Sequence, residues 1–325
     1  MKNPHVKTRD LLTVMDLTPD EILSIFRFAR KLKRDYKKGI HRNYMKNRSL
    51  AMIFEKSSTR TRVSFEAGMT QLGGHALFLS GADIQLGRGE TVEDTARVLS
   101  RYVQGVMIRT FEHDKVESLA RHAGIPVING LTDSHHPCQA LTDYFTIYER
   151  NRDIRPVKMT YIGDGNNVAN SLIQTAALLG SSISVAAPIK FQPEASIIDS
   201  AMAVARQTGA SIEITDDVER AVAGANYLYT DVWTSMGQEK ETARRKKIFA
   251  GYRITSTLLK EAAPGCLVMH CLPAHRGEEI DEDVIESGQS IVFDQAENRL
   301  HVQKAIICAL LGHGPKFGSL LHHFR

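Results

Sequence analysis

Short apolar segments alternate with amphipathic segments along most of the 325-residue chain, and this alternation restricts its fold more than any other feature. Strands that are separated by helices pair in parallel, because the crossover connection brings each strand back in the same direction. We predict strands at residues 49–54, 76–79, 105–108, 125–128, 160–162, 183–186, 212–214, 227–230, 267–269 and 291–293. The pattern is typical of an α/β protein with doubly wound parallel sheets.

The alternation is interrupted by a polar stretch at residues 151–156, which ends in a proline. Domain boundaries fall in such exposed polar linkers. A chain of 325 residues also suits two domains of ordinary size, each with its own core. We therefore expect a domain boundary close to residue 150.

The turn after the first predicted strand has the composition of an anion-binding site. Ser58, Thr59, Arg60 and Thr61 open a segment whose helical spacing continues to Leu72. Backbone N–H groups, hydroxyls and a cation at a helix N-terminus can converge on a phosphate. Arg62 has a partner four residues on in Glu66, but the residue four after Arg60 is an uncharged serine. We infer that Arg60 is available to an anionic ligand, with simple capping by the hydroxyls as the alternative.

Polar residues also follow two further strands of the first half of the chain. Arg109 directly follows the strand at 105–108, and His136 lies in the loop after the strand at 125–128. The carboxyl ends of parallel strands share one edge of a sheet, where ligands bind. We expect Arg60, Arg109 and His136 to lie close together.

In the second half, Asp231 ends the strand at 227–230. The segment at 233–247 that follows it is rich in glycine and charge and contains the only tryptophan, Trp233. We predict that this segment is a lid beside the carboxylate. Its basic run at 244–247 has no interleaved aromatic residues, which favours a solvated loop over a nucleic-acid contact.

Composition excludes several other classes. The chain has 41 basic and 37 acidic residues, so nucleic-acid binding is a weak interpretation. Residues 1–10 lack the apolar core of a signal peptide, and no run of about 18 apolar residues predicts a membrane span. Four cysteines without paired spacing favour reduced thiols in a cytoplasmic protein. The turn at 163–165 lacks the third glycine of a dinucleotide fingerprint, which argues against a nicotinamide cofactor.

The strand at 267–269 leads into His270, Cys271 and, shortly after, His275. With Cys138 and His136 these residues could bind zinc, although their spacing matches no common zinc pattern. Cys271 with His136 or His275 could instead form the nucleophile pair of a thiol hydrolase. The residues alone leave both alternatives open.

Several motifs in one order resemble the ornithine branch of the aspartate/ornithine carbamoyltransferase superfamily. Residues 58–61 resemble its carbamoyl-phosphate motif and residues 136–139 its second motif. Residues 235–237, Ser-Met-Gly, after Asp231 and residues 270–273, His-Cys-Leu-Pro, are marks of the ornithine branch. The resemblance runs from residue 49 to residue 299.

The resemblance implies an enzyme that transfers the carbamoyl group of carbamoyl phosphate to the side-chain amine of ornithine, without metal or cofactor. A related amine such as putrescine is the alternative substrate. It implies that carbamoyl phosphate is held by Ser58, Thr59, Arg60, Thr61, Gln85, Arg109, His136, Gln139, Cys271, Leu272 and Arg299. Ornithine would be held by Asn167, Asp231, Ser235 and Met236, and the catalytic group would be Arg60, Arg109, His136, Asp231 and Cys271.

The resemblance also implies an architecture. Two doubly wound parallel-sheet domains, residues 1–150 for carbamoyl phosphate and 151–300 for ornithine, would be joined by interdomain helices, with the active site in the cleft between them. Residues 301–325 would pack back on the first domain. A homotrimer, or a multiple of trimers, would let Gln85 reach the site of a neighbouring subunit.

Overall fold

The computed structural model of the chain describes residues 6–84, 89–234 and 239–312. It contains two parallel β-sheets, which confirms the predicted fold class. The first sheet has the strand order β2-β1-β3-β4 and the second β7-β6-β5-β8-β9. The strands are β1 (Ser49–Phe54), β2 (His75–Ser80), β3 (Gly105–Arg109), β4 (Val127–Leu131), β5 (Lys158–Ile162), β6 (Ser182–Ala186), β7 (Ser211–Thr215), β8 (Tyr227–Thr230) and β9 (Leu267–His270).

Helices connect the strands and cover the faces of the sheets. They are α1 (Pro19–Lys37), α2 (Thr59–Gln71), α3 (Val92–Tyr102), α4 (His113–His122), α5 (Pro137–Asn151), α6 (Asn167–Leu179), α7 (Ala195–Thr208), α8 (Val218–Val222), α9 (Thr242–Ile248), α10 (Ser256–Lys260), α11 (Glu282–Ile285) and α12 (Val292–Leu311). Within the described ranges, none of these helices combines the length and the apolar character that crossing a membrane requires.

Helix α1 shows how local sequence sets a helix start. The backbone N–H of Glu21 donates to Thr18 Oγ1 at 3.4 Å, and the N–H of Thr18 donates to Glu21 Oε2 at 2.8 Å. The two residues form a capping box, which satisfies backbone donors at both. Ile22, Ile25 and Phe26 are buried on the apolar face of the helix.

The last helix, α12, returns from the second sheet to pack on α1, α2 and α5. Lys304 on α12 donates from Nζ to Gln71 Oε1 at 2.8 Å, and Lys33 on α1 donates from Nζ to Asn298 Oδ1 at 2.7 Å. The contact with α2 is close because residue 68 is glycine: a Cβ there would lie 3.3 Å from Lys304 Cγ. Residues 313–325 of the predicted C-terminal tail lie outside the described residues.

Two local predictions were wrong. Residues 291–293 form the start of α12 and not a strand, since Val292, Gln295 and Asn298 are buried at helical spacing while Phe293 is 65% exposed. The basic run at 244–247 belongs to α9 and is not a solvated loop throughout, because Arg245 is buried.

In each sheet the strand order reverses beside the first strand of the domain, and polar or charged residues follow the strands at that position. In the first sheet β1 lies between β2 and β3, and the chain after β1 leads to residues 55–61. In the second sheet β5 lies between β6 and β8, and Asp231 follows β8. Ligands of open parallel sheets bind at the carboxyl ends of the strands at such switch points. The fold therefore provides two facing binding edges.

Candidate active site

A cleft of about 1550 Å³ lies between the carboxyl ends of the two sheets. Twelve of the predicted site residues line it: Ser58, Thr59, Arg60, Thr61, Arg109, His136, Gln139, Asn167, Asp231, Cys271, Leu272 and Arg299. The other three predicted residues, Gln85, Ser235 and Met236, lie outside the described residues. The cleft thus brings together side chains that the sequence separates by more than 200 positions.

The N-terminus of α2 combines a capping hydroxyl with a cation that faces the cleft. Ser58 is the N-cap residue, and its Oγ accepts a hydrogen bond from the Thr61 N–H at 3.2 Å. Arg62 pairs with Glu66 on the same helix, with 3.0 Å between Nε and Oε1. Within the described residues, no carboxylate forms an ion pair with Arg60. The cation of Arg60 therefore faces the cleft at the positive end of the helix dipole without compensation.

Arg109 and Arg299 add two more cations to the same wall. Both are buried, and neither forms an ion pair with a carboxylate in the described part of the chain. Burial, together with the charges of Arg299 and Arg60, lowers the pKa of Arg109 to about 9. Arg109 Nε is buried without a hydrogen-bond partner among the described residues. Three guanidinium groups held together in this way form a site for an anion.

Arg299 reaches this wall from α12, although it is far from the other members in sequence. Its Nη1 donates to Gln139 Oε1 on α5, and its Nη2 donates to Thr61 Oγ1 on α2 at 3.2 Å. Helix–helix packing thus sets the position of the guanidinium. No local sequence pattern predicts this contact, and the family resemblance indicated only that Arg299 lies near carbamoyl phosphate.

His136 is the N-cap residue of α5 and is buried at the cleft wall. Its backbone N–H donates to Ser171 Oγ at 2.8 Å, while Nδ1 has no hydrogen-bond partner among the described residues. Burial and the charges of Arg299, Arg109 and Arg60 lower the pKa of His136 well below its usual value. The imidazole is therefore neutral at physiological pH and can polarise a carbonyl oxygen as an N–H donor.

The opposite wall is built around Asp231, at the end of β8. Cys271 Sγ donates to Asp231 Oδ1 at 2.9 Å, and Asn166 Nδ2 donates to Oδ2 at 2.8 Å. Burial and the Asp231 carboxylate raise the pKa of Cys271 well above its usual value, so the thiol stays protonated. A carboxylate and a thiol side by side provide acceptors for an amine, in contrast to the cationic wall opposite.

The segment after β9 is held in an unusual backbone conformation. Leu272 has φ of 59°, which side-chain-bearing residues adopt rarely, and its N–H donates to His270 Nδ1 at 2.8 Å. His270 is buried, and its Nε2 lies 3.0 Å from Glu279 Oε1. These contacts fix where Cys271 and Leu272 enter the cleft, and such local strain often marks a functional site.

The donor chemistry does not fit a metal. Asp231, His270 and Cys271 each place one potential ligand atom within 4.8 Å of the others. However, both His270 nitrogens are already engaged, and the Asp231 oxygens accept hydrogen bonds from their neighbours. A histidine ligand needs a free ring nitrogen, and His270 offers none in this arrangement.

A thiol hydrolase is disfavoured by the same geometry. A nucleophilic cysteine needs a lowered pKa and a base within hydrogen-bonding distance. Cys271 has a raised pKa and donates to a carboxylate, and neither His136 nor His275 is hydrogen-bonded to its sulphur in the described region. Cys271 is placed to contact a ligand and is not activated for attack.

Sequence reasoning missed several polar residues of the cleft. Asn166, which holds Asp231, is the N-cap residue of α6, and its position in the turn at 163–167 was the available signal. The turn lies tightly against the segment at 189–193, because a Cβ on Gly165 would lie 2.4 Å from Pro193 N. Lys56 is buried beside the cleft, pairs with Asp133 and lies 4.3 Å from the Phe111 ring centroid.

Arg245 is the buried anchor of the predicted lid segment. Its Nη1 donates to Asp164 Oδ2 and to the Trp233 carbonyl oxygen, both at 2.9 Å. Burial raises the pKa of Asp164 to about 6 despite the neighbouring Arg245. Trp233 is itself 5% exposed and stacks on Phe249. The ends of the segment are therefore held, while residues 235–238 lie outside the described residues.

Comparison with known proteins gives matches along almost the whole chain. Residues 9–149 match the carbamoyl-P binding domain of aspartate/ornithine carbamoyltransferase, and residues 155–310 match its Asp/Orn binding domain. The ornithine carbamoyltransferase of Pyrococcus abyssi is 52% identical over 96% of this chain and 98% of its own length. The ornithine carbamoyltransferase of Bacillus cereus (strain ATCC 14579) is 52% identical over 94% of this chain and 96% of its own length. The solved ornithine carbamoyltransferase from Pyrococcus furiosus superposes with a TM-score of 0.92 at 50% identity, covering 96% of this chain and 99% of that one. The chain therefore belongs to the aspartate/ornithine carbamoyltransferase family.

Proposed function

We propose that this protein is an ornithine carbamoyltransferase, which converts carbamoyl phosphate and L-ornithine into L-citrulline and phosphate. The observation that carries the proposal is the contrast between the two walls of the cleft. Arg60, Arg109 and Arg299 converge without carboxylate partners in the described residues, and Asp231 with Cys271 stands on the opposite wall. A phosphate-bearing electrophile and an amine nucleophile need these two environments, side by side.

The cationic wall suits carbamoyl phosphate. We assign the phosphate to the N–H groups and hydroxyls of Ser58, Thr59 and Thr61 and to Arg60 and Arg109. His136, Gln139 and Arg299 would hold the carbamoyl group, with the neutral imidazole donating to its carbonyl oxygen. As the amine attacks, negative charge develops on that oxygen and then on the leaving phosphate. Fixed cations and N–H donors stabilise both charges.

The opposite wall suits the attacking amine. We assign the side-chain amine of ornithine to Asp231 and Cys271, with Leu272 between the two substrates. Asn167, Ser235 and Met236 would hold the rest of the amino acid. Only the neutral amine has a lone pair, so attack on the carbonyl carbon follows loss of one ammonium proton. The carbon–oxygen bond to phosphate then breaks, and the phosphate leaves with a proton from the amine.

We propose the domain division at about residue 150, with residues 1–150 for carbamoyl phosphate and 151–300 for ornithine. The two family matches, at 9–149 and 155–310, support this division. The packing of α12 on α1, α2 and α5 supports the assignment of residues after 300 to the first domain. All four cysteines are free, which supports a reducing, cytoplasmic location.

We also propose a homotrimer in which Gln85 reaches the neighbouring site. Strand β2 is an edge strand that leads towards this residue, and it exposes Leu77 and Phe78, each at 37%. Val63, Val98 and Tyr102 on α2 and α3 are also exposed. An apolar edge of this kind favours coverage by another subunit. Sedimentation of the protein and of a Leu77→Glu variant tests the assembly, since the variant should dissociate to monomers.

One assay tests the activity. Carbamoyl phosphate is offered with ornithine, putrescine, N-acetylornithine or aspartate, and the carbamoylated product is measured. We expect citrulline from ornithine and little product from the other three. Faster turnover of putrescine would favour the alternative amine, and no product from any acceptor would contradict a carbamoyltransferase.

A further inference from the structure

Asp143 is a buried carboxylate that the proposed mechanism does not use. It lies on α5, one turn after Gln139, and is fully buried where α5 meets α12 and β8. A charged group is excluded from such an environment unless its neighbours compensate it. Its surroundings therefore indicate what it does.

Three donors converge on this carboxylate. Oδ1 accepts from Gln139 Nε2 at 2.8 Å and from Gln295 Nε2 at 2.7 Å, and Oδ2 accepts from the Tyr229 hydroxyl at 3.0 Å. All three partners are themselves buried. Since each neighbour donates, the hydrogen-bond pattern fits the ionised carboxylate. Burial raises the pKa of Asp143 to about 7, and the three donors and the Arg299 charge oppose that rise.

One of the three hydrogen bonds leads to the cationic wall. Gln139 Nε2 donates to Asp143, so the Oε1 atom of the same amide points towards Arg299 and accepts a hydrogen bond from Arg299 Nη1. Rotation of this amide would place N–H groups against a guanidinium. Asp143 thus sets the orientation that Gln139 needs to hold Arg299.

The other two hydrogen bonds lead to the opposite wall. Gln295 donates to Asp143 through Nε2 and accepts from the His270 backbone N–H through Oε1 at 3.0 Å, directly before Cys271. Tyr229 lies on β8, two residues before Asp231. The carboxylate is therefore connected to the strand ends that carry both Cys271 and Asp231.

We propose that Asp143 is a positioning residue that fixes the cationic wall and the Asp231–Cys271 wall relative to each other. The inference rests on the proposed function and deepens it. Without this shared acceptor, each wall can shift independently of the other. The distance between a bound carbamoyl group and an attacking amine then varies. Misplaced reacting groups lower the rate of the chemical step.

Three variants test the proposal, at about pH 8, where the Asp143 carboxylate is ionised. Asp143→Asn keeps the shape but removes the charge and one acceptor. Tyr229→Phe removes the hydrogen bond from β8 to Asp143, and with it the longer one that the hydroxyl accepts from Gln295 Nε2 at 3.3 Å. Thr146→Val is the matched control, because Thr146 makes a similar α5–α12 contact, accepting from Asn298 Nδ2 at 3.0 Å, and Asn298 keeps Glu149 as a second acceptor.

Turnover, substrate KM values, thermal unfolding, and calorimetric binding of phosphonoacetamide and norvaline are measured for each variant. These compounds are non-reacting analogues of carbamoyl phosphate and ornithine. We expect Asp143→Asn to lower kcat by about tenfold to a hundredfold and to weaken both analogues, from the cost of a buried donor left unpaired. Tyr229→Phe should raise the ornithine KM while phosphonoacetamide binding stays unchanged. Thr146→Val should lower the unfolding midpoint without changing turnover or binding.

The opposite pattern would overturn the proposal: Asp143→Asn loses stability while kcat and both affinities stay within about twofold of the unsubstituted protein. If Asp143→Asn does not fold, Tyr229→Phe decides, and unchanged ornithine KM in that variant counts against the proposal. An unsubstituted protein that forms no citrulline contradicts the proposed function instead. Phosphonoacetamide binding, which needs no turnover, then still decides the role of Asp143.

Discussion

Replacement of Arg60 by glutamine should separate activity from stability. Arg60 lies in the first turn of α2, at the positive end of the helix dipole, with no carboxylate partner among the described residues and with Arg109 and Arg299 near it. Removal of a cation from such a position should stabilise the folded protein by about 0.3–1 kcal/mol. Removal of one positioned donor from the transition state should cost about 2.7–4 kcal/mol, or roughly a hundredfold to a thousandfold in kcat.

Arg62→Gln is the matched control, two residues away on the same helix. Arg62 pairs with Glu66, and its guanidinium lies 3.6 Å from the Phe78 ring centroid. Its loss should therefore destabilise the protein by about 0.5–1 kcal/mol. Citrulline formation should stay close to that of the unsubstituted protein. The two variants are thus expected to change stability in opposite directions, and only one should change activity.

The assay combines initial rates of citrulline formation with urea unfolding. Unfolding is repeated with phosphonoacetamide, which at 100 times its Kd should stabilise the unsubstituted protein by about 2.7 kcal/mol. Arg60→Gln should lose most of that gain. The reasoning is refuted if Arg60→Gln retains kcat within about tenfold of the unsubstituted protein. It is refuted equally if Arg62→Gln loses as much activity as Arg60→Gln.

Three further predictions follow from other parts of the molecule. Cys271→Ser should lower kcat and raise the ornithine KM while some activity remains, because burial and the Asp231 carboxylate raise the pKa of the thiol and keep it from acting as a nucleophile. Carbamoyl label on Cys271 after denaturation would contradict this. Phosphonoacetamide with norvaline should change Trp233 fluorescence and protect the segment at 233–247 from proteolysis, and no change in either would contradict a lid. Burial and nearby lysines lower the pKa of His301 to about 3, so the unfolded chain binds its proton first and stability falls as pH drops below about 6.5. Between pH 8 and pH 4.5, proton binding by His301 in the unfolded chain should lower the free energy of unfolding by roughly 2.7 kcal/mol. Urea unfolding of His301→Asn should therefore show a loss over that pH range that is smaller by about this amount.

Local chemistry was predictable from the sequence. The Thr18–Glu21 capping box and the Arg62–Glu66 pair depend on residues within one helical turn, where spacing alone sets proximity. The strand ends placed Arg109 and His136 on one edge, because parallel strands share their direction. The fold class followed from the same alternation of strands and helices.

Contacts between distant elements could not be read from periodicity. Asn166 binds Asp231 across 65 positions, and Arg245 is buried because Asp164, 81 positions earlier, accepts its hydrogen bond. Their partners depend on how helices pack on the second sheet, which no local pattern encodes. The prediction of a strand at 291–293 was wrong for a related reason. A short apolar run fits a strand or the first turn of a buried helix equally well.

The return of α12 to the first helices of the chain has a consequence for synthesis on the ribosome. Helices α1, α2 and α5 precede the second sheet in the chain, but the helix that covers them and carries Arg299 is translated after that sheet. Until then the nascent chain exposes the apolar surface that α12 will cover, and the cationic wall lacks one member. Domains generally fold as units during translation, with the N-terminal one first. Here the first half of the chain is completed only once α12 has emerged, so a chain truncated before residue 292 should be an aggregation-prone, inactive product.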